Sequence, residues 1–402
     1  MIGLAYCDKA GRIYFDAARE PLADGGIVRR ASPEELIPAP PGTIPTLLPG
    51  RRPLLGNGPA RRRFALAAIL PAGYTRLLLP AYTKDAGAPA LPLFGYTYAC
   101  VVDDVLHVAA MRTDESEDWK PRYFAPGELD RRIDRRLAAD PGNRVLAQVA
   151  RCSREYGCFT AQNVFFECGE AAMPVSPKCN ARCVGCISEL DPQAGIPSPQ
   201  ERISFETTAE ELARVAIHHL ARVAGGIVSF GQGCEGEPLL RATTVARAIE
   251  RIRSERAGGT INLNTNGSVT KGLARCIDAG LQAVRVSLNS FRPRAYAAYY
   301  RPKGYGLDDV LSSIRLACDS GLRVSLNYLT HPGVTDDAGE IAAMEGFLSG
   351  VKVEMVQTRT LNIDPEWYFE AVGRPKDPLG MRRAIAAIRD RGVRVGNFTH
   401  TH

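Results

Sequence analysis

At 402 residues, with 45% hydrophobic and 23% charged side chains, the chain is long enough for two domains and too rich in core-forming residues to be disordered. A formal net charge of +6 is modest; scattered arginines account for it as well as an anionic substrate or RNA would, so nucleic-acid binding is disfavoured rather than excluded. The opening "MIGLAYCDKAGRIYFD" has neither a basic leader nor an apolar core, so a cytoplasmic protein is expected, and its eleven cysteines point to metal or redox chemistry rather than a disulfide framework.

Residues 1–165 read as a β-rich domain. "LAYCDKAGRIYFD" and "YTYACVVDDVLHVAAMRTD" have the alternation of hairpins, with turns at Asp8–Gly11 and Asp103–Asp104. Proline- and glycine-rich connections such as "LIPAPPGTIPTLLPGRRPLLGNGP" lie between them. The most apolar run, "FALAAILPAGYTRLLLPAY", is broken by Pro71 and Arg76, which excludes a membrane span there. A charged helical stretch, "GELDRRIDRRLAADPGNRVLAQVARC", leads out of this domain. No motif in it converts into chemistry.

Residues 166–402 change pattern. Helical periods such as "FETTAEELARVAIHHLARV" and "RATTVARAIERIRSER" alternate with short strand-like runs: "GGIVSFG", "TINLNTNG", "AVRVSLNS", "RVSLNYLTH" and "KVEMVQTRTLN". Gly280 and Gly321 stand where helices should end. With "AAMPVSP" as the first strand, this predicts a parallel α/β architecture of six units, a partial (β/α)6 barrel behind the separate N-terminal domain. Its ligand site belongs at the carboxyl ends of the strands.

After the first of those strands comes "SPKCNARCVGCISEL", with Cys179, Cys183 and Cys186. Three readings compete. A structural zinc site needs a closed set of four ligands, and only Cys168, at an unusual spacing, is a candidate fourth. A group of buried core thiols would not normally sit in a loop among Asn180, Arg182 and Gly185; Cys276 and Cys318, on apolar helix faces, suit that description better. A four-iron cluster takes one thiolate per iron, so a triplet leaves one iron open, as catalysis requires.

The other strand ends carry polar groups that a core strand does not need: "GQGCEGEP" after the second, "NTNG" after the third, "SLNS" on the fourth. With the Cys-x3-Cys-x2-Cys triplet after the first strand and the Gly236-Glu237-Pro238 turn after the second, the chain from about Ala171 onward resembles the radical S-adenosylmethionine (SAM) superfamily. The resemblance implies a [4Fe-4S] cluster whose open iron is chelated by SAM. It also implies reductive cleavage of SAM to methionine and a 5′-deoxyadenosyl radical, hydrogen abstraction from a substrate, and a low-potential electron donor such as flavodoxin or ferredoxin. Residue by residue, it implies Cys179, Cys183 and Cys186 as cluster ligands. Gly236 and Glu237 would bind the methionyl ammonium, Thr265 and Asn266 the ribose, and Ser287 and Asn289 the ribose or carboxylate. Gly333 and Val334 of "HPGV" would bind the adenine.

The sequence departs from that pattern at Gly185, where many members have an aromatic residue, and at Glu235, where a glycine usually opens the methionine-binding turn. Glu235 is therefore a candidate substrate contact or a solvent-facing side chain. Cys234 is a candidate catalytic thiol, against the alternative of a packed strand-end thiol. His331, Arg359 and Asn362 are further candidate substrate contacts, Arg359 as a clamp for a carboxylate or phosphate. "YYRPKGY" (Tyr299–Tyr305) suits a lid, an anionic ligand or helix-end packing. Cys152, Cys158 and Cys168, with Cys7 or Cys100, are candidates for a second cluster, and no cobalamin-binding signature is evident. The extra domain favours a peptide or protein substrate over a small metabolite, and that over RNA. An iron–sulfur carrier without SAM chemistry is the rival of another class.

Overall fold

A computed structural model describes residues 2–60, 62–114, 127–256, 258–360 and 363–397. Both expected hairpins form. Ile2–Cys7 pairs with Ile13–Asp16 across a turn in which Asp8 Oδ1 accepts the Ala10 and Arg12 N–H groups at 2.8 and 3.0 Å. Tyr96–Val102 pairs with Val105–Arg112 through Asp103 and Asp104, both at positive φ, the conformation a two-residue hairpin turn demands. These strands belong to an eight-stranded antiparallel sheet, to which the proline-rich connection contributes Leu36–Pro38 and Ile44–Leu47; two further three-stranded sheets complete the domain.

The charged stretch forms two helices, Glu128–Ala139 and Arg144–Glu155, with Asn143 capping the second through its side chain. A third helix spans Phe159–Phe166. Their apolar faces (Ile133, Val149, Phe165) join the same core as the parallel sheet that follows.

That sheet has seven parallel strands in sequential order: Glu170–Met173, Ile227–Phe230, Thr260–Thr265, Ala283–Leu288, Arg323–Thr330, Met355–Thr360 and Arg394–Gly396. The six expected strands are present, and the seventh, a three-residue run, corrects the count. Gly280 and Gly321 sit at φ +104° and +77° past their helices, where a side chain would be strained. One face of each strand packs on helices: Val284, Val286 and Leu288 are buried there. The other face turns into a polar lumen, in which Arg285 pairs with Glu170 at 3.2 Å and Asn262 donates to Ser229 at 3.0 Å. Alternation of this kind is the ordinary consequence of the strand's period of two.

The first domain packs on the carboxyl ends of the fifth to seventh strands. Arg51 and Asp364 form an ion pair at 2.7 Å with neither side chain exposed. Arg76 donates to the Thr330 carbonyl, and Gly73 N–H to Asn397 Oδ1. A Cβ built on Gly26 would lie 2.6 Å from Gly333 Cα, so the two backbones meet with no room for a side chain.

Candidate active site

The first parallel strand ends at Met173, and the loop after it is held by backbone bonds from two directions. Gly236 N–H donates to Ser176 O at 2.7 Å and Glu237 N–H to Lys178 O at 2.9 Å. From the other side, Arg182 N–H reaches Tyr300 O, Val184 N–H reaches Tyr299 O, and Lys303 N–H reaches Asn180 O. "YYRPKGY" therefore braces this loop. Held in that frame, Cys179, Cys183 and Cys186 are half-buried. Burial pushes the Cys179 thiol up to about 11. Cys183 rises well above the usual thiol range, through burial first and then the negative charge of Cys186 and Cys179.

Among the described residues, no three cysteine, histidine or carboxylate side chains converge where a single metal ion would sit. Three thiols set around one loop, close enough to oppose one another's ionisation, are a poor zinc cage. They do fit a four-iron cluster, which takes its thiolates one per iron. Of the candidates for a second cluster, Cys152 and Cys158 lie near Cys234, whose ionisation both oppose, while Cys7 and Cys100 are buried in strands of the first domain and Cys168 donates to Asn163 Oδ1.

Gly236 touches the start of the cysteine loop so closely that an added Cβ would fall 2.0 Å from the Lys178 oxygen. Beside it the buried Glu237 carboxylate accepts three donors: the Leu239 N–H at 2.9 Å, the Thr265 hydroxyl at 2.5 Å and the Asn266 N–H at 2.8 Å. Burial pushes Glu237 up to about 7 against the pull of those donors. Asn266 Nδ2 in turn donates to Asn180 Oδ1 at 2.9 Å, joining the third strand end to the cysteine loop. Gly236, Glu237, Thr265 and Asn266 are thus gathered against the cysteines, though much of their hydrogen-bonding capacity is spent on one another.

Glu235 faces neither solvent nor an open pocket. Its carboxylate accepts the N–H groups of Val175, Ser176 and Gln232, so it braces the turn, and burial pushes it up to about 8. Cys234 lies in the apolar core hydrogen-bonded to Cys152, which holds its thiol well above the usual range. Arg359 points into the lumen, where it donates to Asn327 and Gln357; burial brings it down to about 10. Asn362 lies outside the described residues.

At the fourth and fifth strand ends the observation is of unmet demand. Asn289 is buried and donates to Ala295 O and Tyr368 Oη, yet its Oδ1 has no partner. His331 is buried between the rings of Tyr368 and Phe369, and neither of its ring nitrogens has a hydrogen-bond partner. Burial, with the Arg76 and Arg374 charges, keeps it neutral, its pKa well below the usual histidine range. Buried polar atoms left unpaired are costly, and a polar ligand at these strand ends would relieve them. Ser287 faces the lumen, half-buried, on the fourth strand. Gly333 is packed against Gly25 and Gly26 of the first domain, its N–H already given to Asp336 Oδ1, and Val334 is buried in the core shared with the parallel sheet.

An opening of about 720 Å³ leads to the cysteine loop, lined by Cys183, Cys186, Arg182, Arg202, Arg301 and Trp367 with the carboxylates Glu189, Asp191 and Glu370. One of about 790 Å³ on the first domain, among Asp8, Arg12, Arg52 and Asp85, contains none of the expected site residues. The sequence pattern did not single out Arg202 or Trp367. Arg202 comes from an irregular segment, and Trp367 from the short helix Pro365–Val372, whose Tyr368 and Phe369 touch Asn289 and His331 at the fourth and fifth strand ends.

Residues 173–344 match the family model described as the Radical SAM superfamily. Among curated proteins, the chain is 29% identical over 211 residues to "GTP 3′,8-cyclase" of Limosilactobacillus fermentum, covering 49% of this chain and 57% of that one. It is 33% identical over 175 residues to "GTP 3′,8-cyclase" of Thermodesulfovibrio yellowstonii, covering 42% and 49%. The chain spans about half the length of these relatives. Among solved structures, it is similar to a radical SAM methyltransferase from Sphaerobacter thermophilus, with 18% identity, a TM-score of 0.42, and 57% and 65% of the two chains covered. Streptococcus suis SuiB bound to precursor peptide SuiA gives 11% identity and a TM-score of 0.40, covering 64% and 53%.

Proposed function

The chain is a radical SAM superfamily enzyme, its family domain at residues 173–344, and from that premise we propose that it abstracts hydrogen from a peptide or protein substrate admitted beside the cysteine loop. When bound, the [4Fe-4S] cluster and SAM together supply the radical chemistry. Cys179, Cys183 and Cys186 would hold the cluster. The Gly236–Glu237 turn with Thr265 and Asn266 would position SAM against it, and the unpaired Asn289 Oδ1 and His331 nitrogens would meet its polar groups. The chain's own contribution is to fix these groups before reaction and to exclude water, which the first domain and the Pro365–Val372 helix do by covering part of the strand ends.

One observation carries the substrate reading. The opening beside Cys183 and Cys186 sets three cations (Arg182, Arg202, Arg301) against three carboxylates (Glu189, Asp191, Glu370), with Trp367 among them. A balanced lining with an aromatic wall suits a peptide, which carries both charges and apolar side chains. A nucleoside triphosphate would meet as many like charges as opposite ones. The second reading, a nucleotide substrate, rests on the curated relatives named for GTP. The test is 5′-deoxyadenosine release by the reduced, reconstituted enzyme with SAM, alone or with a defined peptide library or GTP. Stimulation by peptides supports the proposal; stimulation by GTP with loss of GTP overturns it.

The electron donor we propose is a small acidic low-potential protein of the flavodoxin or ferredoxin kind. Lys178, Arg182, Arg301 and Lys303 are exposed cations around the cysteine loop, and none is in an ion pair among the described residues. An acidic partner would be steered to that rim. Eleven free cysteines suit a reducing cytoplasm. Among the described residues no helix is long and apolar enough to cross a membrane.

A further inference from the structure

Between the cysteine loop and the next helix, residues 198–203 form a strap with no regular structure of their own. Several contacts tie it down: Ser198 Oγ accepts the Leu190 N–H at 2.8 Å, Gln200 N–H donates to Ile187 O at 3.1 Å, Ile203 N–H donates to Cys234 O at 2.9 Å, and Glu201 pairs with Arg151 at 2.7 Å. The strap delivers one cation to the loop. Arg202 Nη2 lies 3.5 Å from Cys186 Sγ, its Nε donates to Ser188 Oγ at 3.2 Å, and its Nη1 is held by Glu189. The side chain is 14% exposed, whereas its partner Glu189 is 65% exposed. The guanidinium is therefore fixed at the thiol by part-buried contacts on one side and by a solvent-facing carboxylate on the other, and its charge also reaches Cys179 and Cys183.

We propose that Arg202 is a positioning residue for the electron. By donating an N–H to the Cys186 sulfur and placing a positive charge beside it, Arg202 raises the reduction potential of the cluster and brings the reduced state within reach of the donor. The inference rests on the cluster reading of the three cysteines. Reduction adds one negative charge to an already anionic thiolate-bound group, so a fixed cation and a hydrogen bond to sulfur both favour the reduced form. No bond is made or broken: one electron passes from the donor protein to the cluster, and the guanidinium stays where it is. A loop that is only half-buried would otherwise rely on solvent for this stabilisation, and solvent is displaced when substrate fills the opening that Arg202 also lines.

The test is a redox titration of the anaerobically reconstituted full chain, followed by the electron paramagnetic resonance signal of the reduced cluster, with iron counted in every sample. Arg202→Met is expected to hold as much iron as wild type and to titrate at a lower potential, by a tenfold or greater change in the reduction equilibrium, about 59 mV for one electron. Arg202→Lys keeps the charge but loses the fixed fork. It is expected to hold iron and to shift less, which keeps the proposal testable if the Met variant fails to fold. Equal iron with unchanged potentials in the variants overturns the role of Arg202 alone. A wild-type chain that takes up no cluster overturns the cluster reading with it.

Discussion

Gly236→Ala is the smallest change that should dismantle the site while sparing the fold. An ideal Cβ at this position lies 2.0 Å from Lys178 O, 2.4 Å from Lys178 C and 2.9 Å from Cys179 N. Ordinary contact begins at 3.4 Å, and the neighbours are backbone rather than flexible side chain. The Lys178 carbonyl must therefore retreat by more than about 1 Å, and the adjoining backbone N of Cys179, which carries the first cluster thiol, by about 0.5 Å, the limit that such sites tolerate. The retreat pulls against the Glu237 N–H to Lys178 O bond and the Gly236 N–H to Ser176 O bond. Losing both costs on the order of 2 kcal/mol at about 1 kcal/mol each. The parallel sheet, built from other contacts, should survive. Iron and sulfide counts after anaerobic reconstitution, beside far-ultraviolet circular dichroism, are the assay: a native spectrum with less than about half the wild-type iron is expected. Wild-type iron content in Gly236→Ala would refute the claim that this turn sets the position of the loop.

Asp364→Asn takes from the buried Arg51 the nearer of its two carboxylates, leaving Glu366 at 3.7 Å, and should cost up to about 3 kcal/mol in urea unfolding; a loss below about 1 kcal/mol would mean the pair is dispensable. Gly26→Ala, at φ +92° and with its Cβ 2.3 Å from Pro375 Cγ and 2.6 Å from Gly333 Cα, should loosen the first domain from the strand ends. The expected result is faster proteolysis between the domains; unchanged cleavage would argue against the contact. Burial raises Glu235 to about 8, Glu237 to about 7 and Asp336 to about 7, so between pH 6.5 and 8 these carboxyls hold protons that the unfolded chain has lost; His218, His219 and His331, lowered on folding, act in the opposite sense only near the lower end of that range. Stability should then fall as pH rises, by up to about 1.4 kcal/mol per pH unit for each proton held, and the cluster-free protein should melt lower at pH 8 than at pH 6.5. A melting temperature that rises over this window would contradict the reading.

Much of the barrel was legible because its signals are local. Strand alternation, the glycines at 280 and 321 and the cysteine triplet each report on a few adjacent residues. The seventh strand escaped because Arg394–Gly396 is too short to show a period and is recognisable only by its pairing with Met355–Gln357. Glu235 is the clearest lesson about the site. A second carboxylate beside Glu237 invites a substrate role, but three backbone N–H groups converge on it from two segments, and sequence spacing does not report that convergence. Arg202 and Trp367 went unnoticed for the same reason: an arginine in a loop and a tryptophan in a short helix acquire meaning only from what tertiary packing sets beside them. His331 was visible as a strand-end residue. That both its nitrogens are left unpaired in a buried aromatic slot is a fact of packing alone.

The central claim is that Cys179, Cys183 and Cys186 hold a four-iron cluster with one iron left for SAM. The direct measurement is the electron paramagnetic resonance spectrum of the dithionite-reduced, reconstituted protein before and after adding SAM. A reduced-cluster signal whose line shape changes on addition, and which is lost in Cys183→Ala, is the predicted result. Zinc in place of iron, or a cluster signal that SAM leaves unaltered, would contradict it.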